Sequence, residues 1–154
     1  MEFWKRGFNN GKYNYLDTDD QGAATNLVKY IIPYMEANYN VSTKSEDRAY
    51  GGFSGGAFTG VTILNKYHDE FGYYGLFSGM GTPDYTVIAD ENAPFVMTSN
   101  GSFEAKSTYD SMKNMHDNFI ANGISSVYNI APGAHDLMMA GQQFTFFAKN
   151  CLWK

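Results

Sequence analysis

Gly52, Ser54 and Gly56 stand two residues apart in the hexapeptide Gly51-Gly52-Phe53-Ser54-Gly55-Gly56, the spacing of a G-x-S-x-G nucleophile elbow. In that motif a serine occupies a sharp turn between a strand and a helix. The flanking glycines let the backbone take a strained path and pack closely. The motif makes Ser54 a nucleophile. Because the chain has 16 glycines, a plain glycine-rich turn would give the same pattern. The motif gains weight from its context: a strand before it, a helix after it, then an acid and a histidine downstream.

Three histidines are available as a general base. His68, in Lys66-Tyr67-His68-Asp69, and His116, between Met115 and Asp117, read as solvated surface residues. His135 lies in Ala131-Pro132-Gly133-Ala134-His135-Asp136, where proline and glycine shape the backbone and a helix begins at once. A loop histidine beyond the carboxyl end of the last strand is placed like the base of a serine hydrolase.

The elements needed to hold these residues can be read from periodicity. Apolar residues Leu27, Tyr30, Ile31, Tyr34 and Met35 predict an amphipathic helix over 23–39 with that face packed inward and Pro33 kinking it. Arg48-Ala49-Tyr50-Gly51 reads as a short buried strand, and 55–67 as a helix with Phe58, Val61, Thr62, Ile63 and Leu64 as its stripe. Segments 73–78, 94–98 and 125–130 are short, apolar or β-branched, and bounded by Gly, Pro or Asn, as strands are. Helices are expected over 108–122, with Tyr109, Met112, Met115, Phe119 and Ile120, and over 136–149, with Leu137, Met138, Phe144 and Phe147 facing inward. This alternation predicts βαβ units and a parallel sheet covered on both faces.

Composition sets outer limits. The chain of 154 residues is one domain's worth, 44% apolar, and it has no apolar run of transmembrane length, so it reads as soluble and globular. A net charge of -5 with 11 scattered Lys and Arg argues against nucleic acid. Cys151 is the single cysteine, which excludes an intrachain disulfide and a zinc-thiolate cluster and leaves a buried or terminal thiol. The first 21 residues form an aromatic, Asn/Gly-rich loop with no signal-peptide core. Phe3, Trp4, Phe8, Tyr13 and Tyr15 there suit stacking on sugar or phenolic rings, or simply a loop cluster.

Four blocks of the chain together resemble the esterase D-like α/β-hydrolases. They are Ile32-Pro33-Tyr34-Met35-Glu36, Arg48 through Gly56, Phe71-Gly72-Tyr73-Tyr74-Gly75-Leu76-Phe77-Ser78-Gly79, and Pro132-Gly133-Ala134-His135-Asp136. Within that group the likeness is to carbohydrate esterases of the feruloyl and acetylxylan type, and it runs from about residue 25 to the end. The resemblance implies an α/β-hydrolase fold and a serine esterase acting on feruloyl or acetyl esters of plant polysaccharide such as xylan. It implies no metal or organic cofactor, and secretion. Ser54 would attack the ester, His135 would carry its proton, and the Gly55 N–H would be one oxyanion donor.

In this family the acid is usually an aspartate in Gly-x-x-Asp after a strand; in Ser99-Asn100-Gly101-Ser102-Phe103-Glu104 that position is Glu104. Asp110 is the fallback, and a carboxylate that merely favours a helix N-terminus is the bland reading of Glu104. The family sheet has further strands ahead of the elbow, including the loop that gives the second oxyanion N–H. The chain therefore reads as the C-terminal part of such a domain, with a sheet flank open to self-association. Two other readings share these residues: a catalytically silent remnant that binds a carbohydrate or partner, and an acyl transferase or thioester hydrolase of the same fold.

Overall fold

The computed structural model describes residues 22–153, together with the backbone of Phe8–Asn9 (β1) and Lys12–Tyr13 (β2), which pair as a short antiparallel ladder. The expectation attached to the aromatic side chains of the first 21 residues lies outside the described residues.

A helical stretch comes next: α1 (Ala23–Asn26), a wider π turn over Leu27–Ile31, and α2 (Ile32–Asn38). Then strands and helices alternate as β3 (Ala49–Phe53), α3 (Gly55–Tyr67), β4 (Tyr73–Phe77), α4 (Tyr85–Ile88), β5 (Phe95–Gly101), α5 (Lys106–Ala121), β6 (Ser126–Ala131) and α6 (Leu137–Asn150). Strands β3 to β6 lie side by side in chain order and pair in parallel throughout. Parallel neighbours require a crossover between them, which α3, the α4 connection and α5 supply.

Helices cover both faces of the sheet, so successive strand residues feed two cores. On one face Tyr74, Leu76 and Val96 pack with Ile63 and Leu64 of α3 and Met112, Met115 and Phe119 of α5. On the other, Phe77 and Met97 pack with Phe147 and the buried thiol of Cys151 beneath α6. Burial on both faces is why β4 reads Tyr-Tyr-Gly-Leu-Phe with no polar alternation.

The inward faces of two helical segments differ from the sequence expectation. From α1 through the π turn to α2, Ala24 and Val28 are buried and Leu27 and Ile32 pack against the core, whereas Tyr30, Ile31, Tyr34 and Met35 are exposed. The Ile32 N–H bonds to the Leu27 carbonyl, five residues back, and this wider turn rotates α2 relative to a regular helix. The irregularity thus falls on the turn ahead of Pro33, which lacks the N–H that would continue a regular ladder. In α6 the inner residues are Met139, Ala140, Gln143 and Phe147; Leu137 is 84% and Met138 75% exposed. One of those inner residues is polar, which hides the stripe from a purely apolar pattern. In α5, Met112, Met115 and Phe119 are buried as expected, while Tyr109 and Ile120 are exposed.

Neither His68 nor His116 is a simply solvated side chain. His68 Nε2 lies 3.0 Å from Asp90 Oδ2, and His116 Nδ1 lies 2.9 Å from Ser126 Oγ with its ring stacked on Tyr128. Burial holds the His116 imidazole below its ordinary pKa. Among the described residues no helix is long and apolar enough to cross a membrane.

Candidate active site

Ser54 is the single residue between β3 and α3, and its φ is 55°. A non-glycine residue in that region is uncommon and costs backbone energy, so the surrounding structure must impose it. Here the Ser54 N–H donates to the Phe77 carbonyl at 2.9 Å, while the Ser54 carbonyl accepts from Ala57 N–H at 3.0 Å to start α3. Gly52 makes the turn possible, because a Cβ there would sit 2.3 Å from the Gly56 carbonyl oxygen. Gly56 is needed less for its own space: its nearest neighbour would be the Tyr50 hydroxyl at 4.0 Å. A Cβ at Gly55 would meet nothing within 4 Å, so that position faces open space.

Glu104 and His135 sit on two loops that leave β5 and β6. Ser102 N–H donates to the Ala131 carbonyl and Phe103 N–H to the Gly133 carbonyl, each at 2.9 Å, and these bonds tie the loops together. Gly101 and Gly133 permit the approach: a Cβ on Gly101 would lie 2.5 Å from the Gly133 carbonyl oxygen, and Gly133 itself has a φ of 143°. Downstream, the Asp136 side chain caps α6 by accepting the Met139 N–H, which fixes where that helix starts relative to His135.

These loops bring together all three residues expected to do chemistry. His135 Nε2 lies 2.9 Å from Ser54 Oγ, and His135 Nδ1 hydrogen-bonds Glu104 Oε1. The second carboxylate oxygen of Glu104 accepts the Gly101 N–H at 2.7 Å. The Glu104 side chain is 1% exposed and that of His135 46%. A buried carboxylate needs such partners, and this one has a fixed backbone donor on one oxygen and the imidazole on the other. The ring of Phe53 lies against the imidazole at 4.6 Å, holding it from its other side.

With its proton on Nδ1 and donated to the carboxylate, His135 presents Nε2 as an acceptor for the Ser54 hydroxyl. The Gly55 N–H opens α3 beside Ser54 and belongs to the first turn, whose N–H groups have no intrahelical acceptor. Such an N–H is a donor for negative charge forming next to Ser54 Oγ. Asp110, the fallback acid, instead pairs with Lys106 at 2.5 Å on the surface of α5 and does not join the cluster.

Gly101, Phe53 and Phe77 occur in the sequence motifs, but no role for them there is legible from residue type and spacing. The Gly101 contribution is a backbone N–H, and the only sequence trace of it is the glycine three residues before Glu104. Among the described residues no group of three or more His, Cys, Asp or Glu could hold a metal ion.

A parallel sheet with helices on both faces and a serine on the strand-to-helix turn defines the α/β-hydrolase class. The chain belongs to the esterase family described as "Putative esterase", whose model matches residues 5–145.

Solved structures share the fold. A CE1 ferulic acid esterase from Anaeromyces mucronatus, in complex with ferulic acid, is 25% identical with a TM-score of 0.65, over 79% of this chain and 51% of its own. A second ferulic acid esterase aligns at 17% identity and a TM-score of 0.70, over 91% of this chain and 62% of its own. S-formylglutathione hydrolase from Staphylococcus aureus aligns at 13% identity and a TM-score of 0.62, over 82% and 61%. The chain therefore spans between 51% and 62% of the length of these three structures.

Proposed function

We propose that this chain is a serine esterase in which Ser54 is the nucleophile, His135 the general acid and base, and Glu104 the carboxylate that orients it. The observation carrying this reading is the 2.9 Å contact between Ser54 Oγ and His135 Nε2, on an imidazole whose other nitrogen is bonded to Glu104. Ser54 Oγ attacks the ester carbonyl as His135 takes its proton, and the Gly55 N–H receives the developing oxyanion. The intermediate collapses, His135 returns the proton to the departing alcohol, and water then releases the acid by the same steps in reverse order.

The substrates we propose are feruloyl or acetyl esters on plant polysaccharide. Supporting this choice are the likeness to two ferulic acid esterases and an imidazole that is 46% exposed, open enough for an ester on a bulky chain. On this reading the protein is secreted and acts where the polysaccharide lies.

The test is reaction with a fluorophosphonate probe. Labelling is expected on Ser54, absent in Ser54→Ala and strongly reduced in His135→Ala; an unlabelled wild-type chain would overturn the proposal. Release of ferulate from feruloylated xylan, compared with acetate from acetylated xylan, then decides the acyl group.

A further inference from the structure

Ser78 and Gln143 form a buried polar pair. Both are buried, Ser78 3% and Gln143 0% exposed, and Gln143 Nε2 donates to Ser78 Oγ at 3.2 Å. Gln143 Oε1 has no hydrogen-bond partner. A buried amide left half satisfied is costly. An apolar side chain would serve packing alone at least as well. Something other than packing is therefore needed to account for a glutamine here.

The pair stands where the supports of Ser54 and His135 meet. Ser78 directly follows β4 with a φ of 52°, and its N–H donates to the Ser99 carbonyl at 2.7 Å. The residue before it, Phe77, gives the carbonyl that takes the Ser54 N–H. The residue after it, Gly79, abuts the elbow so tightly that a Cβ there would come within 2.4 Å of Ala57 Cβ. On the other side, Gln143 belongs to α6, the helix whose N-cap, Asp136, directly follows His135. Met139, one turn earlier, reaches Ser78 Oγ with its sulfur at 3.9 Å and packs on Gly133, where a Cβ would be 2.9 Å from Met139 Cβ.

We infer that Ser78 and Gln143 are positioning residues that set the Ser54–His135 separation by locking the turn behind the elbow to the helix behind the histidine loop. This inference rests on Ser54 being the nucleophile. A polar lock does what an apolar contact cannot, since a hydrogen bond fixes direction and distance where a hydrophobic contact tolerates sliding. A misplacement on the order of 1 Å between reacting groups costs up to about 10²-fold in rate.

The experiment uses Gln143→Met and the double variant Ser78→Ala/Gln143→Met in the 154-residue chain, with a fluorophosphonate labelling rate, a thermal melt and turnover of a small aryl acetate. We expect both variants to melt at or above the wild-type temperature, because apolar groups replace an imperfectly paired polar pair. Labelling is expected to slow by roughly tenfold or more. On the aryl acetate kcat should fall while KM stays within about twofold, the pattern of a lost transition-state alignment. Rates within about twofold of wild type in both variants would overturn the inference. So would a loss of rate matched by a loss of melting temperature, since the pair would then be ordinary core. Should the double variant fail to fold, Gln143→Met decides alone. A wild-type chain labelled no faster than Ser54→Ala would instead defeat the Ser54 assignment.

Discussion

The Gly101 N–H donates to Glu104 Oε2 at 2.7 Å, so a backbone group only three residues away holds one oxygen of the carboxylate and leaves the other for His135. This short loop closure takes up the length of the glutamate side chain. The side chain folds back toward its own strand end and still reaches the imidazole.

Glu104→Gln keeps the shape but removes the charge, and the amide can present an N–H where His135 needs an acceptor. Esterase turnover and fluorophosphonate labelling are expected to fall by about 10³- to 10⁴-fold. Glu104→Asp should cost less, on the order of 10- to 10²-fold, from the shortened reach. Asp110→Asn should leave the rate within about twofold, because Asp110 faces Lys106. Equal losses in the Glu104 and Asp110 variants would rule out this assignment.

Two neighbouring glycines should behave in opposite ways. Gly52→Ala drives a Cβ to 2.3 Å from the Gly56 oxygen, which is backbone and cannot step aside, and is expected to destabilise by about 1–3 kcal/mol or more. Gly55→Ala, with open space around its Cβ, should leave stability within about 0.5 kcal/mol or raise it slightly. Denaturant melts of both variants would settle the contrast.

The rotation of α6 can be checked on adjacent residues. Met139→Ala empties a fully buried site and is expected to cost about 2–5 kcal/mol. Leu137→Ser, at a side chain that is 84% exposed, should change stability by no more than about 0.5 kcal/mol. The reverse order would restore the face read from the sequence.

Acid should weaken the fold through His116. Burial depresses its folded pKa below the ordinary 6.5, so the unfolded chain binds this proton more readily. The stability from keeping it neutral is fully present above that value and is lost as pH falls below it. His116→Gln is therefore expected to flatten the decline in melting temperature as pH falls below about 6.5. An unchanged slope would show that His116 contributes nothing to it.

How much of this was legible beforehand differs between parts of the chain. The helices beginning at Gly55, near Thr108 and near Asp136 follow from 3.6-residue periodicity and from Gly, Asn and Pro breaks, and the four strands from short apolar runs between them. β5 runs three residues past the expected 98, because Ser99, Asn100 and Gly101 continue the ladder against Asn129, Ile130 and Ala131 despite their weak strand preference. Pairing partners overrode local propensity there.

The order of the candidate groups along the chain is written in the primary structure, because residue type and position relative to strand ends are local properties: a serine between glycines, a carboxylate after one strand, a histidine after the next. The distances between them come from packing. Ser54 and His135 are 81 residues apart in the chain and 2.9 Å apart in space. Their meeting depends on the register of four parallel strands, on Gly52, Gly101 and Gly133 letting backbones touch, and on a buried Ser78–Gln143 bond. No periodicity reports contacts of that kind, since each is made between segments that neither know nor constrain one another until the sheet has formed.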